Sequence, residues 1–128
     1  MSESRRIASM LALAEEDVAA ARVLSREKNR YAAYHCQQAS EKLIKAVLLA
    51  RNIESGVEHR LDVLVEKIPD SDSWKAVLLP LVIYSPYATT FRYPTPGGRI
   101  PSAPPPEGTQ AGAERIAALI KRARDESI

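Results

Sequence analysis

Between residues 29 and 52 the sequence NRYAAYHCQQASEKLIKAVLLARN repeats its apolar residues at helical spacing, and this restricts the fold more than any other stretch. At about 100° per residue, Ala32, Ala33, Cys36, Ala39, Leu43, Ile44, Ala46 and Val47 gather on one side. Tyr31, Tyr34, His35, Gln38, Glu41, Lys42 and Lys45 converge on an opposite arc of roughly 120°, because separations of three, four and seven residues stack on one face. The apolar side must be covered by neighbours, and its small Ala and Cys residues let them approach at the short end of the usual range of about 8–10 Å. The polar side is also specific. A solvated face normally carries interchangeable Glu and Lys, whereas this strip combines an imidazole, an amide, a carboxylate, two ammonium groups and two phenols.

The remaining segments supply partners of the same kind. Ile7, Met10, Leu11, Ala14, Val18 and Ala21 predict a first helix over residues 4–26, with Glu15, Glu16, Asp17, Arg22 and Arg26 as ordinary solvated positions. Asn29 is placed to cap the central helix, which ends near Asn52. Val57, Leu61, Leu64, Val65 and Ile68 predict a third helix of about three turns, with His59 early in it. Ser71, Asp72 and Ser73 can cap a fourth helix burying Trp74, Val77, Leu78 and Leu81, with a kink or break expected at Pro80. Ser85-Pro86 reads as the start of another short turn, reaching about Phe91. Residues 94–108, PTPGGRIPSAPPPEG, are too rich in proline and glycine for regular structure and read as a mobile insertion in preference to a functional loop. Thr109 is placed to cap a last helix carrying Ala113, Ile116, Ala117 and Ile120. No stretch alternates at strand period. The expected fold is all-α, an up-and-down antiparallel four-helix bundle with an additional short helical turn, residues 1–128 forming one domain.

Composition removes several function classes. A formal net charge of +2 is too small for bulk electrostatic capture of nucleic acid, and the basic residues are not run together. The longest apolar runs fall short of the roughly 18 residues needed to span a bilayer. No export signal is recognised in the first twenty residues, so a cytoplasmic protein with no membrane partner is expected. The single Cys36 cannot form an intrachain disulfide and reads as a small buried hydrophobe. His35 and His59 are not at ligand spacing, so no metal site and no cofactor are expected. Gly97-Gly98 lacks the lysine and hydroxyl of a phosphate loop.

What remains is the strip of His35, Gln38, Glu41, Lys42 and Lys45, together with Arg92 and Tyr93. These seven are the candidate ligand-binding residues. Lys42, Lys45 and Arg92 suit phosphate, His35 and Gln38 would orient it, and the tyrosine rings suit a base. A structural account stands beside this one: His35, Gln38 and Glu41 as a hydrogen-bond network fixing helix register, with Arg92 as an ion-pair partner of Glu41.

The run from His35 through Gln37, Gln38, Ala39, Glu41 and Lys42 to Ala46, the later His59, and the closing Phe91-Arg92-Tyr93-Pro94 together resemble the HEPN domain family. The resemblance spans about residues 15–122. It implies an all-α bundle, usually a homodimer, often encoded beside a minimal nucleotidyltransferase that would be its partner protein. It also implies a nucleotide or RNA ligand, and in some branches a metal-independent ribonuclease of toxin-antitoxin or defence systems. Those ribonucleases carry an arginine, four to six residues and then a histidine late in the bundle. Here no histidine follows Arg92; Arg30 and His35 have four residues between them but open the second helix. The leading expectation is therefore an accessory or regulatory protein binding a nucleotide or phosphate-bearing ligand. The alternatives are an endoribonuclease using His35 and Arg30, and a non-catalytic structural partner subunit.

Overall fold

The computed structural model describes residues 3–128, and among them there is helix but no strand. Helix α1 (Glu3–Arg26) meets helix α2 (Tyr31–Ala50) through a short turn. After α2 come two short helices, α3 (Leu61–Glu66) and α4 (Ser73–Leu78). Helix α4 runs directly into a 3-10 helix (Leu79–Ala88), and helix α5 (Pro106–Asp125) closes the chain. Contacts fix the directions. Ser25 meets Thr109 and Arg22 meets Glu114, so α5 is antiparallel to α1. Trp74 meets Glu126 while Tyr84 faces Gly112, so the α4 and 3-10 segment runs antiparallel to α5. The result is the expected up-and-down bundle, with α4 and the 3-10 helix as one member and α3 as the additional short piece.

All eight residues of the expected apolar side of α2 are buried, and Gln37, Ser40 and Glu41 are buried beside them. α2 is thus enclosed on most of its circumference, against Leu11, Ala14, Val18 and Ala21 of α1, Leu61, Leu64 and Ile68 around α3, and Ala113, Ile116 and Ile120 of α5. Its ends are chemically defined. Asn29 Oδ1 accepts the Tyr31 amide at 2.8 Å. At the other end Asn52 takes a left-handed φ of 58°, and the amides of Asn52 and Ile53 return to the carbonyls of Leu49 and Leu48. The same return closes α1, where Lys28 holds φ 56° and Asn29 donates to Leu24 at 2.8 Å.

Three local expectations are corrected. The third helix begins only at Leu61, and Val57 is 89% exposed. The reason is a turn built on Glu58, whose carboxylate accepts the amides of His59 and Arg60 and the Arg60 side chain, so these residues are held outside the helix. Ser85 does not start a new turn, because the 3-10 helix runs unbroken through Pro86. Its hydroxyl instead accepts the Leu61 amide at 3.0 Å and caps α3 from across the fold. Thr109 is not the cap of α5, which starts at Pro106, a residue that needs no amide partner in a first turn. One turn inside the helix, Thr109 Oγ1 lies 2.8 Å from Ser25 Oγ and bonds the Pro106 carbonyl. The expected break at Pro80 is present as the change from α4 to the 3-10 helix, where Val77 is half-buried while Trp74, Leu78 and Leu81 are buried.

Candidate functional site

The polar strip of α2 forms one continuous network across three segments. Asp17 of α1 accepts His35 Nδ1 at 2.9 Å and Lys42 Nζ at 2.6 Å. Lys42 also reaches Gln38, and Gln38 donates to Gln37 at 2.6 Å. Gln37 donates in turn to Glu41 at 2.9 Å. Glu41 then accepts His59 Nδ1 at 2.9 Å and pairs with Lys45 at 3.2 Å. Since carboxylates only accept, both imidazoles carry their proton on Nδ1. Burial alone would raise the Glu41 carboxyl, but the bonds from His59 and Gln37 and the charge of Lys45 outweigh it and hold the group below the usual carboxylate range.

Five of the expected site residues, His35, Gln38, Glu41, Lys42 and Lys45, are therefore together, and each has a partner. The expected Arg92–Glu41 pair is not formed, because His59 and Lys45 occupy that carboxylate. Arg30 and His35 also turn apart. The Arg30 guanidinium donates to the Pro101 carbonyl at 2.6 Å and lies 5.8 Å from the Phe91 ring centre, while His35 faces Asp17. Burial pushes the Cys36 thiol up to about 12, so it is neutral and no nucleophile near pH 7.

Two members of the network, Asp17 and Gln37, lie outside the set of site residues that the sequence points to. Asp17 has the pattern of a solvated residue, yet it follows the buried Ala14 by three positions and precedes the buried Val18 and Ala21, which puts it at the edge of the core face. Gln37 belongs to the motif but to neither face that the periodicity defines, and the near-complete enclosure of α2 buries it.

Beyond Tyr34, whose ring stands edge-on to His35 at 5.2 Å, the strip opens into a separate cleft. Tyr31, Tyr34, Tyr87, Thr89, Phe91 and Arg92 line it, around a cavity of about 100 Å³. Tyr87 and Phe91 stack at 5.4 Å, and Tyr31 donates its hydroxyl to the Phe91 carbonyl at 3.0 Å, which fixes the aromatic wall. Arg92 is exposed and has no carboxylate partner among the described residues. Tyr93, 78% exposed, is outside the lining.

A small all-α bundle threaded by one helix, with an H-x-Q-Q-A-x-E-K network on that helix and R-Y-P beside an aromatic cleft, defines a class of helical domains. A family model for the HEPN domain matches residues 8–125, and the chain belongs to that family. No curated protein and no solved structure matches it. No helix among the described residues is long and apolar enough to cross a membrane.

Proposed function

We propose that this protein is a HEPN-type accessory protein that binds a nucleotide, with the base in the aromatic cleft and the phosphate on Arg92. The observation that carries this reading is the cleft itself: four aromatic rings line it, Phe91 in contact with both Tyr31 and Tyr87, beside a cation that no carboxylate neutralises. Aromatic faces hold bases with ~1–3 kcal/mol per stack, and a guanidinium meets phosphate in bidentate geometry. The strip of His35, Gln38, Glu41, Lys42 and Lys45 then positions Tyr34 and the start of α2, and is not itself the contact surface, since each of its side chains already holds a partner within the network. A nucleotide-binding role fits the nucleotidyltransferase partner, in a toxin-antitoxin-like arrangement, that the family resemblance implies. Calorimetric titration with AMP and ATP tests it. Saturable binding, weakened about ten-fold or more by Arg92→Ala, is expected; no heat from folded wild-type protein with either nucleotide overturns the reading.

A second reading, an endoribonuclease, has one observation in its favour. Asp17 holds the Nδ1 proton of His35 and so leaves Nε2 as the acceptor, the arrangement a general base requires. It predicts cleavage of single-stranded RNA that His35→Ala abolishes; equal cleavage by both proteins removes it.

A second copy of the chain is the partner we infer. Residues 76–91 contain no charge. In the 3-10 helix, whose side chains repeat every third residue, Leu81 and Tyr84 face the core while Pro80, Ile83 and Pro86 form an exposed row. Packing that row against its own two-fold image would bury apolar area without burying an unpaired charge.

A further inference from the structure

A second cleft adjoins the aromatic one. Lys28, Asn29, Arg30, Thr109 and the prolines 104–106 line a cavity of about 450 Å³ where α1 turns into α2 and the 94–105 loop crosses to α5. Arg30 connects the two: its guanidinium lies 5.8 Å from the centre of the Phe91 ring that lines the aromatic cleft, and the residue itself lines this one. Its only hydrogen bond among the described residues goes to the Pro101 carbonyl, which accepts one of five guanidinium N–H groups and cancels no charge. Lys28 is exposed, and its ammonium has no hydrogen-bond or ion-pair partner among the described residues.

The distribution of charge sharpens this. Along the flanks the cations are matched to carboxylates: Arg22 to Glu114, Lys42 to Asp17, Arg51 to Asp72, Arg122 to Glu126. At this one end Lys28, Arg30, Arg92 and Arg99 all lack such a match, and Arg99 is two residues from the Pro101 that Arg30 holds. Arg6, Arg26, Lys67 and Arg115 lack one too, but none of them lines either cleft. The nearest acids in sequence, Glu27 and Glu107, line neither cleft.

Size then decides what kind of ligand suits both clefts. About 100 Å³ is well below the ~300–1,000 Å³ of a cavity that encloses a whole small ligand. It admits one ring and leaves the rest of the molecule outside. A cation-lined cleft next to it offers a place for an anionic group at a distance from the first phosphate, which a mononucleotide with one phosphate cannot fill while its own phosphate sits on Arg92.

Resting on the nucleotide reading above, we propose that the Lys28–Arg30 cleft is a second phosphate subsite, and that the ligand is a phosphodiester-linked nucleotide strand of more than one unit. One base enters the aromatic cleft, its phosphate meets Arg92, and the neighbouring phosphate meets Lys28 and the free N–H groups of Arg30. Ribose and deoxyribose strands share this chemistry.

The test is a competition titration of the full chain with AMP, pApA and pdApdA, repeated on Lys28→Glu, an exposed substitution outside the aromatic cleft. The expected result is that pApA or pdApdA binds about ten-fold more tightly than AMP. Lys28→Glu should remove that advantage while leaving AMP within about two-fold of wild type. Equal affinity for AMP and both dinucleotides, or a Lys28→Glu effect that is the same on all three, overturns the second subsite and leaves the mononucleotide reading standing. No binding of any probe overturns both. A preference between pApA and pdApdA assigns the strand to RNA or DNA.

Discussion

Glu41 is the residue on which most of the internal polar network closes. Its two oxygens serve Gln37, His59 and Lys45, and it is 8% exposed, so truncating it leaves a buried amide and an ammonium without their acceptor. Glu41→Ala should cost about 2–4 kcal/mol in urea unfolding. The pH dependence follows from its lowered value. A carboxyl that holds its proton more weakly when folded adds stability that is fully present above the ordinary carboxylate pKa of about 4.3. That stability is lost as pH falls through the lower folded value. Unfolding midpoints measured from pH 6 downward should fall less steeply for Glu41→Gln than for wild type. Lys28 presents the opposite case, a residue whose side chain makes no hydrogen bond or ion pair among the described residues. It sits at a left-handed φ of 56° that glycine adopts freely, so Lys28→Gly should raise stability by about 0.5–1 kcal/mol. The same change removes the ammonium from the second cleft.

Among the elements, the 3-10 helix is tied to its neighbours by two single-atom fits. A Cβ on Gly112 of α5 would lie 1.8 Å from the Tyr84 hydroxyl oxygen and 2.8 Å from the ring carbon bearing it. Gly112→Ala should therefore destabilise by roughly 1–3 kcal/mol despite better helix propensity, because overpacking exceeds the gain of about 1 kcal/mol. Adding Tyr84→Phe, which deletes the nearest atom, should recover part of the loss; thermal melts of the three variants decide it. Ser85→Ala removes the cap on Leu61 and should cost about 1 kcal/mol. These fits mark where the sequence stops being readable. The faces of α1 and α2 follow from periodicity, since burial along a long helix repeats every 3.6 residues, and the ends of α2 follow from Asn29 and Asn52. The short elements obey other rules. Whether Ser85 caps its own segment or one 24 positions away, and whether Val57 joins a helix or a turn nucleated by Glu58, depends on tertiary neighbours that spacing does not encode. The candidate site divides in the same way. The strip on α2 was legible because one helix carries it, whereas Asp17 and the alliance of Tyr31 with Phe91 join residues far apart in the chain.

For the whole molecule, the exposed row Pro80, Ile83, Pro86 and the cation-rich end are the two surfaces that differ from the rest. Ile83→Asp should convert a dimer into monomer in light scattering while the helical fold, read by circular dichroism at room temperature, is kept, since Ile83 is 65% exposed in the single chain; an unchanged mass moves the dimer contact elsewhere. The other surface has a consequence for kinetics. Many cations along the flanks are matched to carboxylates, whereas Lys28, Arg30, Arg92 and Arg99 stand without one around the two clefts and the 94–105 loop that Arg30 holds, so this end carries a local excess of unmatched cations. Its field extends about 8–10 Å into physiological salt and turns an approaching polyanion before contact is made. Stopped-flow association with a nucleotide strand should slow steeply as salt is added, while dissociation, governed by the stacked ring in its cleft, should change far less.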